Sequence, residues 1–286
     1  MQIRSLAPLA ACAVGLAAIS SGAATASRAT SPAPVVSVTM SSHGPTISGP
    51  RTWHPGAARI AVRSQVADQD LVLLHFRPGY SYARFLADGA RAQRHSAAAR
   101  AALRRIFVET IFDGGVDLWP GQSAGFAVTV QPGTYYLGEM TGRPQFVPIH
   151  VAGAPEAAPT APAALVTATD SGYQTSRGAL PEAGTITIRN RGARPHRLNL
   201  IPVKQGTTRA ELGAYLRKTG SRDNAPPPPF ALNGPQLGTA NLSPHQQMQL
   251  TYRLPAGEYA LIDLNQDMKS GRPETLEGMY AIVTLR

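Results

Sequence analysis

Apolar and polar residues alternate in the same order at two places along the chain. Residues 118–137, LWPGQSAGFAVTVQPGTYYL, lie over 242–261, LSPHQQMQLTYRLPAGEYAL, without a gap, matching at Leu118/Leu242, Pro120/Pro244, Gln122/Gln246, Gly133/Gly257, Tyr135/Tyr259 and Leu137/Leu261. Period-two alternation, a Gly that turns the chain and a Tyr-bearing strand predict two neighbouring strands of a half-buried antiparallel sheet in each copy. Upstream, the repeat pairs Arg59–Arg63 with Thr185–Arg189, and Asp70–Leu74 with His196–Leu200. The last strands are predicted at Phe146–Val151 and Tyr280–Leu285. Between these strands each copy leaves the sheet. Leu212 and Leu216, four apart, predict a helix over Thr207–Thr219, with Thr207 or Thr208 as its cap. A longer helical excursion is expected from Ser81 to Phe112, broken near Gly89 and His95. The prolines at 226–229 cannot donate ladder hydrogen bonds and predict a rigid loop. About seven short strands per copy with one lateral excursion predict an all-β fold of two tandem Greek-key β-sandwich domains.

Length agrees, since 286 residues exceed what one core usually serves. A basic start at Arg4, a short apolar run and small Ala24 and Ala26 predict a secretory signal peptide over residues 1–26, so an exported chain with no transmembrane segment after its removal. Cys12, in a sequence resembling a bacterial lipobox, offers lipidation as the alternative; it is the only Cys. Cleavage after Ala26 leaves no thiol for disulfides or metal. A Ser/Pro/Ala tail follows over 27–34, then a first domain over 35–151, a Pro/Ala linker over 152–164 and a second domain over 165–286. The formal charge of +10 is mostly arginine. Its densest stretch, Arg84 to Arg105, reads as a solvated helix face, with an anionic envelope surface or an unknown protein as the alternative partner. No aromatic residues interleave with these arginines, which argues against nucleic acid.

Gly257-Glu258-Tyr259-Ala260-Leu261-Ile262-Asp263, Gly278-Met279 before the last strand, and Pro195-His196-Arg197-Leu198 before an earlier one resemble the cupredoxin (blue-copper) family. The resemblance implies a Greek-key sandwich with a side excursion, covering most of the second domain and, through the repeat, the first. It also implies a copper site, and the sequence departs from that site. Asp263 stands where the family has its Cys ligand, and 264–278 contains no His. The first domain has Asp70 and Glu139 at the matching positions. A carboxylate cannot replace the soft thiolate electronically, so blue-copper electron transfer is not expected, and a copper oxidoreductase lacks its ligands.

What remains in the second domain is His196, Asp263 and Met279, a set that suits copper or zinc in metal handling. The competing expectation is a buried His196 hydrogen-bonded to Asp263, with no cofactor. Arg143 and Arg272, in repeated Gly-Arg-Pro motifs beside Glu139 and Asp263, are read as internal partners of those carboxylates, or as forks for an anionic ligand. Tyr135 and Tyr259 resemble corner tyrosines tied to nearby backbone. No catalytic residues are predicted: no nucleophile elbow, phosphate-cradling loop or dinucleotide fingerprint is present. The expected role is a non-catalytic binding or scaffolding module of the cell envelope or exterior.

Overall fold

Alternation along the strands produces the layers directly. The computed structural model describes residues 35–66, 69–93, 97–140, 144–156, 162, 164–219 and 228–286. The signal peptide, the tail, Cys12, Arg94, His95, Arg143, Pro226, Pro227 and much of the Pro/Ala run lie outside the described residues.

The first half contains β1 (Val35–Ser41), β2 (Gly44–Ser48), β3 (Thr52–Trp53), β4 (Gly56–Ser64), β5 (Gln69–Phe76), α1 (Tyr82–Ala92), α2 (Ala97–Glu109), β6 (Thr110–Leu118), β7 (Ser123–Val130), β8 (Gly133–Glu139) and β9 (Gln145–Val151). The second repeats the order with β10 (Leu165–Thr169), β11 (Gly172–Thr175), β12 (Ala179–Leu180), β13 (Ala183–Asn190), β14 (Asn199–Val203), α3 (Arg209–Thr219), β15 (Leu237–Gly238), β16 (Gln247–Arg253), β17 (Gly257–Ile262), a 3-10 turn at Glu274–Glu277 and β18 (Tyr280–Leu285). Strand for strand the halves correspond, down to the exceptions. β1 runs parallel to β4 as β10 does to β13, and β3 runs parallel to β9 as β12 does to β18.

Two sheets face one another, ordered β11-β10-β13-β16-β7-β4-β1-β2 and β12-β18-β17-β14-β15-β6-β5-β8-β9-β3. Each sheet passes from one half to the other by a strand pair, β16 with β7 and β15 with β6. In the first seam Leu250 lies opposite Phe126, Gln249 opposite Ala127 and Thr251 opposite Gly125. The repeat aligns Leu250 with Phe126, so each residue faces its own counterpart and the seam has local two-fold register. Both are buried in one apolar cluster that runs through the two halves, with Ile60, Leu73 and Leu137 from one and Ile186, Leu200 and Leu261 from the other.

The helices are held as their end residues require. Ser81 accepts from the Arg84 N–H to cap α1. Thr208 Oγ1 accepts from Glu211 N, and Glu211 Oε2 accepts from Thr208 N, a reciprocal capping box for α3. Leu212 and Leu216 are buried beneath α3. In the Arg-rich helices, buried Asp88 accepts from Arg105, Arg91 and Tyr80, so two of the arginines are occupied internally. The excursion predicted to run to Phe112 stops at Glu109. From Thr110 the chain is β6, whose Gly114-Gly115 pair sits opposite a register shift between Leu73 and Leu74 of β5. A Cβ at Gly115 would overlap the Leu71 carbonyl, so close backbone approach demands Gly there and hides the strand's alternation. Both corner tyrosines behave alike: Gln131 N donates to Tyr135 Oη, and Tyr259 Oη donates to the Pro255 carbonyl, each four residues upstream.

Candidate functional site

His196 lies just before β14, tied to the rest of its sheet end by a two-way backbone bridge to Leu242. The loop leading to it is fixed by buried Asn190, which donates to the Arg194 and Leu242 carbonyls and accepts from Gly192 N. The repeat signal places Asp263 at the end of β17, and the two meet: His196 Nδ1 is 2.8 Å from Asp263 Oδ2, with Asp263 fully buried. Its other ring nitrogen is also taken. Nε2 lies 3.1 Å from Oδ1 of Asp170, in the turn after β10. Carboxylates at both ring nitrogens favour an N–H at each, the imidazolium form. Burial pushes the His196 pKa down, but the hydrogen bond and charge of Asp263, with Asp170 behind them, leave it raised.

Around this pair stands a second group that sequence patterning did not reveal. Arg194 Nη1 is 2.5 Å from Asp267 and 2.6 Å from Glu277, Nη2 is 3.1 Å from Glu274, and Nη2 also donates to the Asp170 carbonyl. Asp267 is buried, yet N–H groups of Ser270 and Lys269 and the Arg194 guanidinium hold its carboxyl well below the usual range. Glu274 is pushed up to about 7 by burial, against Arg194 and His196. The only hints in sequence were an Arg two residues before His196 and an acidic 263–277 segment.

The arginine expected beside Asp263 was Arg272. It is exposed instead, and Asp263 is engaged by His196, Arg197 N and Asn265 N. Asp267 accepts from Ser270 and Lys269 and bonds through its own N–H to the Arg272 carbonyl, a turn that leaves the Arg272 side chain outside. Glu139 is buried at the end of β8. Arg143, its predicted partner, lies outside the described residues. In the first half, Asp70, the repeat counterpart of His196, bonds to Arg197 Nη2 at 3.0 Å, and the same nitrogen reaches Asp117 at 2.9 Å. Arg197 therefore joins the halves. Burial raises Asp70 to about 6, with Arg197 opposing.

The residues do not fit the copper that the family resemblance implies. A metal needs a lone pair from imidazole, and both His196 nitrogens face carboxylates. Asp263 replaces the thiolate, and Met279 is buried with its carbonyl accepting from Asp263 N. Among the described residues no group of three or more His, Cys, Asp or Glu could hold a metal ion. Gly192 guards the pair: a Cβ there would lie 2.8 Å from His196 Nε2 and overlap Asp170 Oδ1. Gly192→Ala is expected to cost about 1–3 kcal/mol of stability and to lower the His196 pKa by displacing Asp170. An NMR titration of the imidazole in both proteins checks this; an unmoved midpoint would remove Asp170 from the account.

Beside Arg194 a cavity of about 370 Å³ opens between α2 of the first half and the 264–274 loop of the second. Phe107, Val108, Pro195, Pro244 and Met268 form its apolar walls.

No protein-family model matches the chain, and no curated protein does. Among solved structures the chain is similar to dithionite-reduced auracyanin from Roseiflexus castenholzii, at 15% identity over 43% of this chain and 94% of that one, with a TM-score of 0.24. It is similar to a multicopper oxidase at 11% identity, covering 88% of each chain, TM-score 0.24. A copper nitrite reductase from Nitrosomonas europaea gives 11% identity over 88% of this chain and 93% of that one, TM-score 0.24. At such scores these likenesses carry nothing beyond themselves, and the architecture rests on the strand order described above. That order is a β-sandwich of two sheets in which the second half repeats the strand order of the first.

Proposed function

We propose that this chain is an exported, non-catalytic recognition module that uses a cupredoxin-like fold without a metal centre. The observation that carries the reading is the carboxylate at each nitrogen of His196, which commits the residue best placed to be a ligand to an ion-paired network. That network braces the 190–197 and 263–277 loops into one wall, and the wall borders the cavity. A rigid wall of this kind suits binding, because little ordering entropy is lost when a partner docks. The basic start at Arg4, the short apolar run and the small residues Ala24 and Ala26 support export.

The test is a titration of the full chain with Cu(II), Cu(I) and Zn(II), following bound metal and thermal unfolding, with His196→Ala alongside. No stoichiometric binding and no upward shift of the midpoint is the expected result. One metal per chain, lost in His196→Ala and raising the midpoint, would replace recognition with metal handling.

A further inference from the structure

Arginine is concentrated in one excursion of the fold. Between Arg77 and Glu109 the chain has seven arginines against two acids, Asp88 and Glu109, which is half of the formal charge of +10. The repeat does not demand this, since α3, the equivalent excursion, sets Glu211 against Arg209, Arg217 and Lys218. Two cavities flank the last turns of α2. The one beside Arg194 includes Arg77, Arg104 and Lys269 in its lining. The other, of about 450 Å³, includes Arg84, Arg91 and Arg105. Arg77 and Pro78, Arg104 and Arg105, and Val108 and Glu109 are chain neighbours divided between the two, so the C-terminal turns of α2 stand between them.

Most of these arginines are held in place. Buried Asp88 accepts from Nε and Nη2 of Arg105 at 3.1 and 2.7 Å and from Nη1 of Arg91 at 3.1 Å, while the two arginines stay 49% and 59% exposed. Arg84 Nη1 donates to the Gly79 carbonyl and Arg77 Nε to the Val108 carbonyl, neutral acceptors that orient each guanidinium and leave its charge. Arg77, Arg84, Arg104 and Lys269 are exposed and have no ion-pair partner among the described residues. Cations fixed in this way lose little freedom when an anion docks on them.

We propose that this basic band is the docking surface for a linear acidic polysaccharide, whose carboxylates meet cations on both sides of α2. A helix with its side chains is about 10–12 Å across, so a ligand that engages both cavities spans several sugar units. Guanidinium forks match carboxylates in geometry and charge. A bilayer fits less well. The large apolar side chains of α1, Tyr82, Phe85 and Leu86, pack against the core, and the fully exposed apolar residues of the two helices are Ala83, Ala87, Ala90, Ala98 and Val108, which offer little to insert. Nucleic acid lacks a stacking platform, because Tyr80, Tyr82 and Phe107 are half-buried in the same apolar cluster. The assignment names the partner class of the recognition module and rests on that reading.

The probe is polygalacturonate, titrated into the full chain by calorimetry across a salt series, with monomeric galacturonate, phosphatidylglycerol vesicles and duplex DNA compared at equal anion concentration. Saturable binding that weakens steadily with salt is expected, with the monomer at least about 100-fold weaker. Arg77→Gln with Arg104→Gln, and separately Arg84→Gln with Lys269→Gln, should each weaken the polymer by about 5- to 10-fold and flatten its salt dependence. Arg59→Gln with Arg63→Gln removes the same charge from exposed positions of β4 and should change affinity by less than about 2-fold. Thermal unfolding of each variant confirms that the fold is kept. No saturable binding, equal affinity for monomer and polymer, or a loss as large in the β4 variant as in the other two would each overturn the assignment. Tighter binding to the vesicles or the DNA would also overturn it, giving the band to a membrane or a nucleic acid. The metal titration of the same preparation separates the two ideas. Failure of the polymer without metal uptake removes only the polysaccharide, whereas stoichiometric metal lost in His196→Ala removes the recognition module.

Discussion

Replacing Arg194 with Met is expected to lower the unfolding free energy by about 3–5 kcal/mol at neutral pH, the usual cost of removing one partner from a buried charge set. Met retains much of the side-chain volume, so the effect isolates the guanidinium. That group faces Asp267, Glu274 and Glu277 at 2.5, 3.1 and 2.6 Å, and without it the three carboxylates face one another beside Asp170. Arg194→Lys should fall between, because an ammonium cannot present a fork to several carboxylates at once. Adding Glu274→Gln to Arg194→Met should recover part of the loss by removing the buried carboxylate that the arginine offsets. Urea unfolding at pH 7 reads all four proteins; a loss below about 1 kcal/mol in Arg194→Met would mean that the network behaves as an exposed ion pair.

What could be read in the sequence was local or repeated. Alternation at 123–130 and 247–253 identified strands because a half-buried strand must present every second residue to the core. The pairing of His196 with Asp263 followed from the repeat and the resemblance, since both mark one end of the sandwich. Alternation describes faces, not edges, and therefore could not reveal that β7 and β16 meet across the halves at Phe126 and Leu250. Strand β6 was concealed by Gly114 and Gly115, whose lack of side chains serves backbone packing. Arg194 was missed for another reason: its partners come from the turn after β10 and from the 263–277 loop, far apart in the chain. The Gly-Arg-Pro repeat suggested Arg272 instead, and sequence spacing has no information on which of two arginines a buried loop turns inward.

Stability is expected to be greatest on the acid side, at about pH 5, and to fall as pH rises toward 8. Glu274 sets the sign. Its folded pKa is raised from 4.5 to about 7, so between those values the folded chain binds more protons than the unfolded chain and stability declines with rising pH. The full decline from Glu274 is on the order of 3 kcal/mol. Asp70, raised from 3.8 to about 6, acts in the same direction over a lower window. His196 adds to both: its raised pKa means a contribution fully present below about 6.5 and lost as pH rises through the folded value. Asp267, Asp170 and Asp88 oppose them, because their lowered values give stability present above the unfolded carboxylate pKa and lost in stronger acid. Unfolding midpoints in urea at pH 5, 6.5 and 8 test the balance. Glu274→Gln should flatten the profile and exceed the parent protein in stability at pH 8, because the amide removes the cost of a buried charge while keeping its shape. A parent profile that rises from pH 5 to 8 would show that the carboxylates of this network are ionised without penalty, and Glu274 would then be an ordinary partner of Arg194.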